Sequence, residues 1–172
     1  MLVETVTNIL SLLTIAAQGF ILFVFVSFFY NKSWLRKLKP KRLVLSFIVS
    51  ATAVLGSLFF SEIAKYVPCK LCWFQRIFMY PLPLLILIAL KNSDKKVIYC
   101  NLSVFSFIGL LIAGFHYYLQ INPIEVLNCS AVGYSVSCSE SFFMRYGYIT
   151  IPMMSMTAFA TIFVLSWNKL FK

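Results

Sequence analysis

Pro68-Cys69-Lys70-Leu71-Cys72-Trp73-Phe74-Gln75-Arg76 stands at the head of an apolar segment that runs from Trp73 to Leu90. Two cysteines with two residues between them can close a reducible disulfide or present a reactive thiolate pair. The thiolate is the attacking species, and a nearby cation or a helix N-terminus favours it. Both aids are at hand. The pair falls where an apolar helix begins, and Arg76 follows Cys72 by four residues, one turn further in. An arginine that deep in an apolar segment is costly and usually has a function. The same spacing also serves half of a zinc site or a structural disulfide.

The surrounding composition sets the class. Of 172 residues, 61% are hydrophobic and only 12% are charged, with a mean hydropathy of +0.89. A soluble domain of this size could not solvate such a surface. The net charge of +10 does not point to nucleic acid, because the basic residues are clumped between apolar runs. The chain reads as an integral membrane protein. Five segments approach the roughly 20 helical residues that cross a bilayer of about 30 Å. They are Asn8 to Tyr30, Leu43 to Ala64, Trp73 to Leu90, Val97 to Leu119 and Tyr148 to Trp167. The first lacks the basic flank of a signal peptide and carries Glu4 instead, so it counts as a helix. Pro81 and Pro83 fall inside the third segment and predict a kink or local unwinding there.

Lysine and arginine orient the bundle. The loop from Asn31 to Arg42 carries Lys32, Arg36, Lys37, Lys39, Lys41 and Arg42. A second loop has Lys91, Lys95 and Lys96, and the tail adds Lys169 and Lys172. Five crossings put all three regions on one side, which the positive-inside rule makes cytoplasmic. Lys65, Lys70, Arg76 and Arg145 lie opposite. The N-terminus is then outside and the C-terminus inside. Cys69, Cys72, Cys129 and Cys138 fall on the outer, oxidising side, the last two in the long loop 120–147. Cys100 lies at the cytoplasmic end of the fourth segment and is expected to be an inert buried thiol.

Several polar groups gather at the outer edge. Arg76 lies about 6 Å below Cys72 along a helix rising about 1.5 Å per residue. His116, the only histidine, sits at a comparable depth near the end of the fourth segment, with Gln75 and Gln120 near the same level. A lone histidine in an apolar helix is often a packing residue, but its level here matches a thiol pair and an arginine. Four outer cysteines in two pairs suggest electron passage by thiol–disulfide exchange. A membrane quinone would be a natural terminal acceptor, since the second pair borders lipid. Arg76 would suit both a Cys72 thiolate and negative charge growing on a quinone oxygen.

These residues resemble those of the DsbB/BdbC family of disulfide bond formation proteins. The likeness rests on Pro68-Cys69-x-x-Cys72-x-x-Gln75-Arg76 at a helix start and on His116-Tyr117-Tyr118-Leu119-Gln120 at the end of the next. The outer cysteine loop and Ile149-Thr150-Ile151-Pro152 before the last helix also fit. The resemblance covers about Leu43 to Trp167 and implies an all-α membrane bundle. Residues 43–172 would form the four-helix catalytic unit, and residues 1–42 an additional helix with its basic loop. It implies a thiol–disulfide oxidoreductase that reoxidises an extracytoplasmic thioredoxin-fold dithiol oxidase (DsbA/BdbD-like). The electrons would go to ubiquinone or menaquinone in a bacterial cell membrane. By the same resemblance Cys72 faces the quinone, Cys69 exchanges with the loop pair, and Cys129 meets the partner with Cys138 as its mate. Arg76, His116 and Gln75 would form the quinone site, with no metal. The first helix and the short spacing from Cys129 to Cys138 depart from the family pattern. A vitamin-K-epoxide-reductase-like relay, a reductive thiol relay and a metal-binding membrane protein are the competing readings. Cys100 has no cytoplasmic mate for a reductive relay, and the Gln75-Arg76 context favours the DsbB-like reading.

Overall fold

The structure is a computed structural model that describes residues 1–30, 38–91, 96–122, 138 and 141–167. Cys129, Lys32, Arg36, Lys37, Lys95, Lys169, Lys172, Glu125 and Glu140 lie outside the described residues. Among the described residues six α-helices carry the fold: α1 Leu2–Tyr30, α2 Arg42–Leu58, α3 Lys70–Met79, α4 Pro81–Lys91, α5 Lys96–Ile121 and α6 Ile151–Ser166. Among the described residues there is no strand, only an isolated bridge between Arg145 and Ile149.

Among the described residues four stretches, Leu2–Tyr30, Lys39–Ile63, Lys70–Lys91 and Val97–Ile121, are long and apolar enough to cross a bilayer. The protein is therefore a multi-pass membrane bundle. The expected break in the third stretch falls at Tyr80, between α3 and α4, because Pro81 and Pro83 cannot donate backbone hydrogen bonds. Large apolar side chains cover the outside, with Leu55 at 67% exposure and Leu84 at 64%. A surface like that is solvated by lipid tails, not by water.

α6 is the axis. At 16 residues it is only about 24 Å long. It starts at Ile151 rather than near Tyr148, because residues 145–149 close a tight turn instead of a helical one. Arg145 and Ile149 exchange backbone hydrogen bonds, and Tyr146 and Gly147 take left-handed conformations at φ 51° and 78°. Pro152 then falls in the first turn of α6, where its missing donor costs nothing. α6 packs against α1, α2 and α5, and α3 packs on α5. Phe159, Leu82, Ile86, Leu102 and Ile162 form the center of the core, all fully buried.

Arg42, counted in the sequence among the topological charges, is buried at the start of α2. Its guanidinium reaches the Leu165 carbonyl at 3.4 Å and lies 4.5 Å from the centroid of the Tyr99 ring. It clasps α2, α5 and α6 together at the end opposite the cysteines. Cys100, expected to be buried, is instead exposed on α5. The reason is its position on the outward face, beside the inward Tyr99 and Leu102.

α5 and α6 approach closely because Gly109 has no side chain. A Cβ there would stand 2.2 Å from Phe159 Cε1 and 2.3 Å from Cζ. Gly109→Ala is therefore expected to cost about 1–3 kcal/mol through overpacking. Thermal unfolding in detergent should show a lower Tm, and Phe159→Leu in the same chain should recover part of it.

Candidate active site

The site is built at the end of the bundle where α2 finishes and α3 begins. After Leu58 the helix widens into a π-helical turn, Phe59–Ile63, in which the Ala64 N–H reaches back to the Phe59 carbonyl. Such turns often mark functional sites. Lys65 then takes φ 59°, and Tyr66 folds back so that its ring stacks on Phe60 and on Phe142, at 5.9 and 4.6 Å. The stack fixes the segment that delivers Pro68 and Cys69.

Cys69 is the N-cap of α3. Its extended backbone leaves the first turn's donors open, and its sulfur accepts the Cys72 N–H at 3.4 Å. The cap explains why α3 starts at Lys70, ahead of the apolar run. The Cys69 thiol in turn donates to Cys72 Sγ, 3.2 Å away. On its other side Cys69 Sγ lies 3.5 Å from His116 Nε2. His116, 2% exposed, comes from α5, one turn before its end.

The histidine is held in turn. Its Nδ1 is 2.9 Å from Gln75 Nε2, and Gln75 Oε1 accepts from the Ser155 hydroxyl of α6 at 2.6 Å. With the amide turned that way, Nδ1 accepts and the imidazole carries its proton on Nε2, toward Cys69. Three helices thus hold a single line of groups from Ser155 to Cys72. The donor atoms of Cys69, Cys72 and His116 all lie within 4.8 Å of one another, a spacing that could also hold a metal ion.

Arg76 points away from that line. Its Nη2 donates to the Ser57 carbonyl at 3.3 Å, just before the π-helical turn, and its guanidinium lies 5.2 Å from the Trp73 ring centroid. Arg76, Gln75 and Cys72 line a cavity of about 250 Å³ between α1, α2, α3 and α6. The far end of that cavity is apolar, with Met79, Ile48 and Phe159. His116 and Cys69 are not among the lining residues. They stand behind Cys72, where Cys69, Leu119 and Cys138 form a small buried cluster with Leu71 and Cys72 against it. The structure thus brings together Cys69, Cys72, Gln75, Arg76, His116 and Cys138. The pair has two faces, one toward Cys138 and one, through Cys72, toward the cavity.

Comparison with known proteins gives the family. Residues 40–168 match the family model described as disulfide bond formation protein DsbB. A probable disulfide formation protein C of Halalkalibacterium halodurans is 42% identical over 70% of this chain and 87% of its own. The SPbeta prophage-derived disulfide bond formation protein B of Bacillus subtilis is 39% identical over 75% and 85%. A probable disulfide formation protein of Oceanobacillus iheyensis is 40% identical over 76% and 90%. No solved structure gives a significant match. The chain belongs to the DsbB family.

As a DsbB-family member it is a membrane thiol–disulfide oxidoreductase that forms disulfides, and it acts on a thiol–disulfide partner. Several residues that shape this candidate site escape a reading of the sequence. Ser155 is one polar residue in an apolar helix at the depth of His116, which is a signal of sorts. The Ser57 carbonyl has none, because backbone partners depend on where the π-helical turn falls.

The hydrogen bond to Cys72, with burial second, pushes the Cys69 thiol up to about 12. Below that value the thiolate is the minor form, so at neutral pH Cys69 should hold about a thousandfold less thiolate than an ordinary cysteine. Alkylation of reduced protein followed by peptide mass mapping should find the Cys69 rate still climbing about tenfold per pH unit at pH 10. Cys72→Ala removes the first cause and leaves burial, so it should bring that climb to a lower pH.

Proposed function

We propose that the protein passes electrons from an extracytoplasmic thioredoxin-fold dithiol, through Cys129 and Cys138 and then Cys69 and Cys72, to a membrane quinone. The observation that carries the reading is the position of the cysteine pair: Cys69 and Cys72 both belong with the buried cluster that holds Cys138, and Cys72 also lines the apolar cavity. A quinone supplies an acceptor for two electrons and two protons that is soluble in lipid. The cavity suits one, with polar groups of Cys72, Gln75 and Arg76 at one end and apolar walls beyond.

The protein's own groups divide the work. The partner's two thiols reduce the loop disulfide and are themselves joined. A loop thiolate then attacks Cys69 of a Cys69–Cys72 disulfide, and Cys72 leaves as a thiolate in the cavity it shares with Arg76. The second loop cysteine displaces Cys69, closing the loop disulfide again. The His116 N–H, aimed at Cys69 Sγ, stabilises the thiolate that leaves there, and Gln75 and Ser155 hold the ring in that tautomer. Two electrons and two protons now reside on Cys69 and Cys72, and oxidation of that pair delivers them to the acceptor. Arg76 places a fixed positive charge beside the space where negative charge would grow.

In this reading the cysteine end faces outward in a bacterial cell membrane, with the N-terminus outside and the C-terminus cytoplasmic, as the basic loops suggest. Residues 43–172 are the catalytic unit. A second reading rests on the three clustered donors, which would supply three of the four ligands of a tetrahedral zinc.

Quinone reduction followed by ultraviolet absorbance, with a reduced thioredoxin-fold oxidase as donor, tests the reading. Wild-type protein should turn over many times. Cys72→Ser should abolish turnover, and Arg76→Ala should slow it by about 10²-fold, the scale of losing one electrostatic stabiliser. Both should remain in the membrane. Normal turnover in both variants would remove these residues from the site. Stoichiometric zinc on the purified protein, with no quinone reduction, would favor the metal reading.

A further inference from the structure

α1 lies wholly before the stretch that matches the family, yet it walls the cavity beside the cysteine pair. Leu10, Leu13, Thr14 and Ala17 line it, the stripe that one face of a helix presents. The helix is held close for this. Its inward Thr7, Ser11 and Thr14 each return their hydroxyl to a carbonyl four residues back, so the buried face is small and needs no outside partner. Gly56 of α2 gives Leu10 room, since a Cβ there would come within 3.3 Å of Leu10 Cδ1. Gln18 ties α1 to the rest: its Nε2 donates to Thr157 Oγ1 at 3.2 Å, and its Oε1 accepts from the Tyr148 hydroxyl at 3.0 Å.

The wall has a direction. Leu10 faces Gly56, next to the Ser57 carbonyl that holds Arg76, and so stands at the polar end. Ala17 is seven residues further along, about 10 Å deeper at about 1.5 Å per residue. Its neighbour Gln18 meets Thr157, two residues past the Ser155 that holds Gln75. Thr157 itself lines the cavity at that depth, among the apolar walls that Ile48, Met79 and Phe159 supply.

We propose that α1 is a specificity element of the acceptor site, with Ala17 setting the room for the apolar tail of an amphiphilic acceptor whose polar ring sits beside Cys72 and Arg76. The inference rests on the quinone reading above and assigns a determinant of selectivity to a helix outside the shared family stretch. A small side chain at position 17 leaves the deep end open, and a large one closes it without touching the polar end.

The test compares two neighbouring alanines in detergent-purified protein. Ala17 is half-buried on the cavity wall, and Ala16 is exposed on the outer face. Binding is read by quenching of tryptophan fluorescence with a tailless naphthoquinone and with the same ring carrying an isoprenoid tail. Ala17→Phe should weaken the tailed quinone by about tenfold and the tailless one by less than about twofold. Ala16→Phe should change neither. Ala17→Leu guards against a folding failure and should show the same tail-selective loss in smaller measure. Equal affinity in Ala17→Phe and Ala16→Phe, or a loss that ignores the tail, would overturn the proposal while leaving the quinone reading intact. Wild-type protein that neither binds nor reduces either quinone would overturn both.

Discussion

Inside a bilayer a polar side chain has no water to turn to, so an arginine, a glutamine and a histidine set in apolar helices must find partners within the protein. Here they find them in two directions from one helix. Gln75 turns to His116 and Ser155, and Arg76, the next residue, turns to the Ser57 carbonyl and the Trp73 ring. Consecutive residues on a helix point about 100° apart, so the two cannot serve the same neighbour. That divergence sets His116 and Cys69 on one side and the cavity on the other, with Cys72 between them. The N-cap role of Cys69 follows from the same demand. A helix that starts at the membrane edge has open N–H groups, and a sulfur that accepts one of them is held where exchange can reach it.

Much of this was legible in the sequence, and the parts that were not share a cause. Long apolar runs located the four described stretches long enough to cross a bilayer and the shorter apolar helix α6, because length and hydropathy act through solvent and need no partner. Depth along a helix was legible too: Cys72, Arg76 and His116 do fall at one end of the bundle. Helix ends were less legible. The third segment begins at Lys70 because a sulfur caps it, and the second ends in a π-helical turn because Lys65 and Tyr66 fold back. Rotation about the helix axis was hidden, since lipid-facing and helix-facing surfaces are equally apolar. Arg42 looked like one more cytoplasmic charge and proves to be a buried clasp; Cys100 looked buried and faces outward. Gln75 and Ser155 are eighty residues apart, and no local pattern announces that they meet.

α6 joins the two functions of the bundle. Its Ser155 supports the line of groups that ends at the cysteines, and two residues further on Thr157 holds α1 through Gln18. One turn beyond Ser155, Phe159 both fills the core against Gly109 and lines the cavity. A helix only 16 residues long, buried along much of its length, has little freedom to bend between these duties. Any adjustment of α1 to a bulkier acceptor must therefore be absorbed on the α1 side, where large side chains face lipid and can yield. On the proposals above, the chemistry belongs to the rigid side of the cavity and the selectivity to the compliant one. A substitution on α1 then changes the room for an acceptor while Cys69, Cys72, Gln75, Arg76, His116 and Ser155 are left as they are.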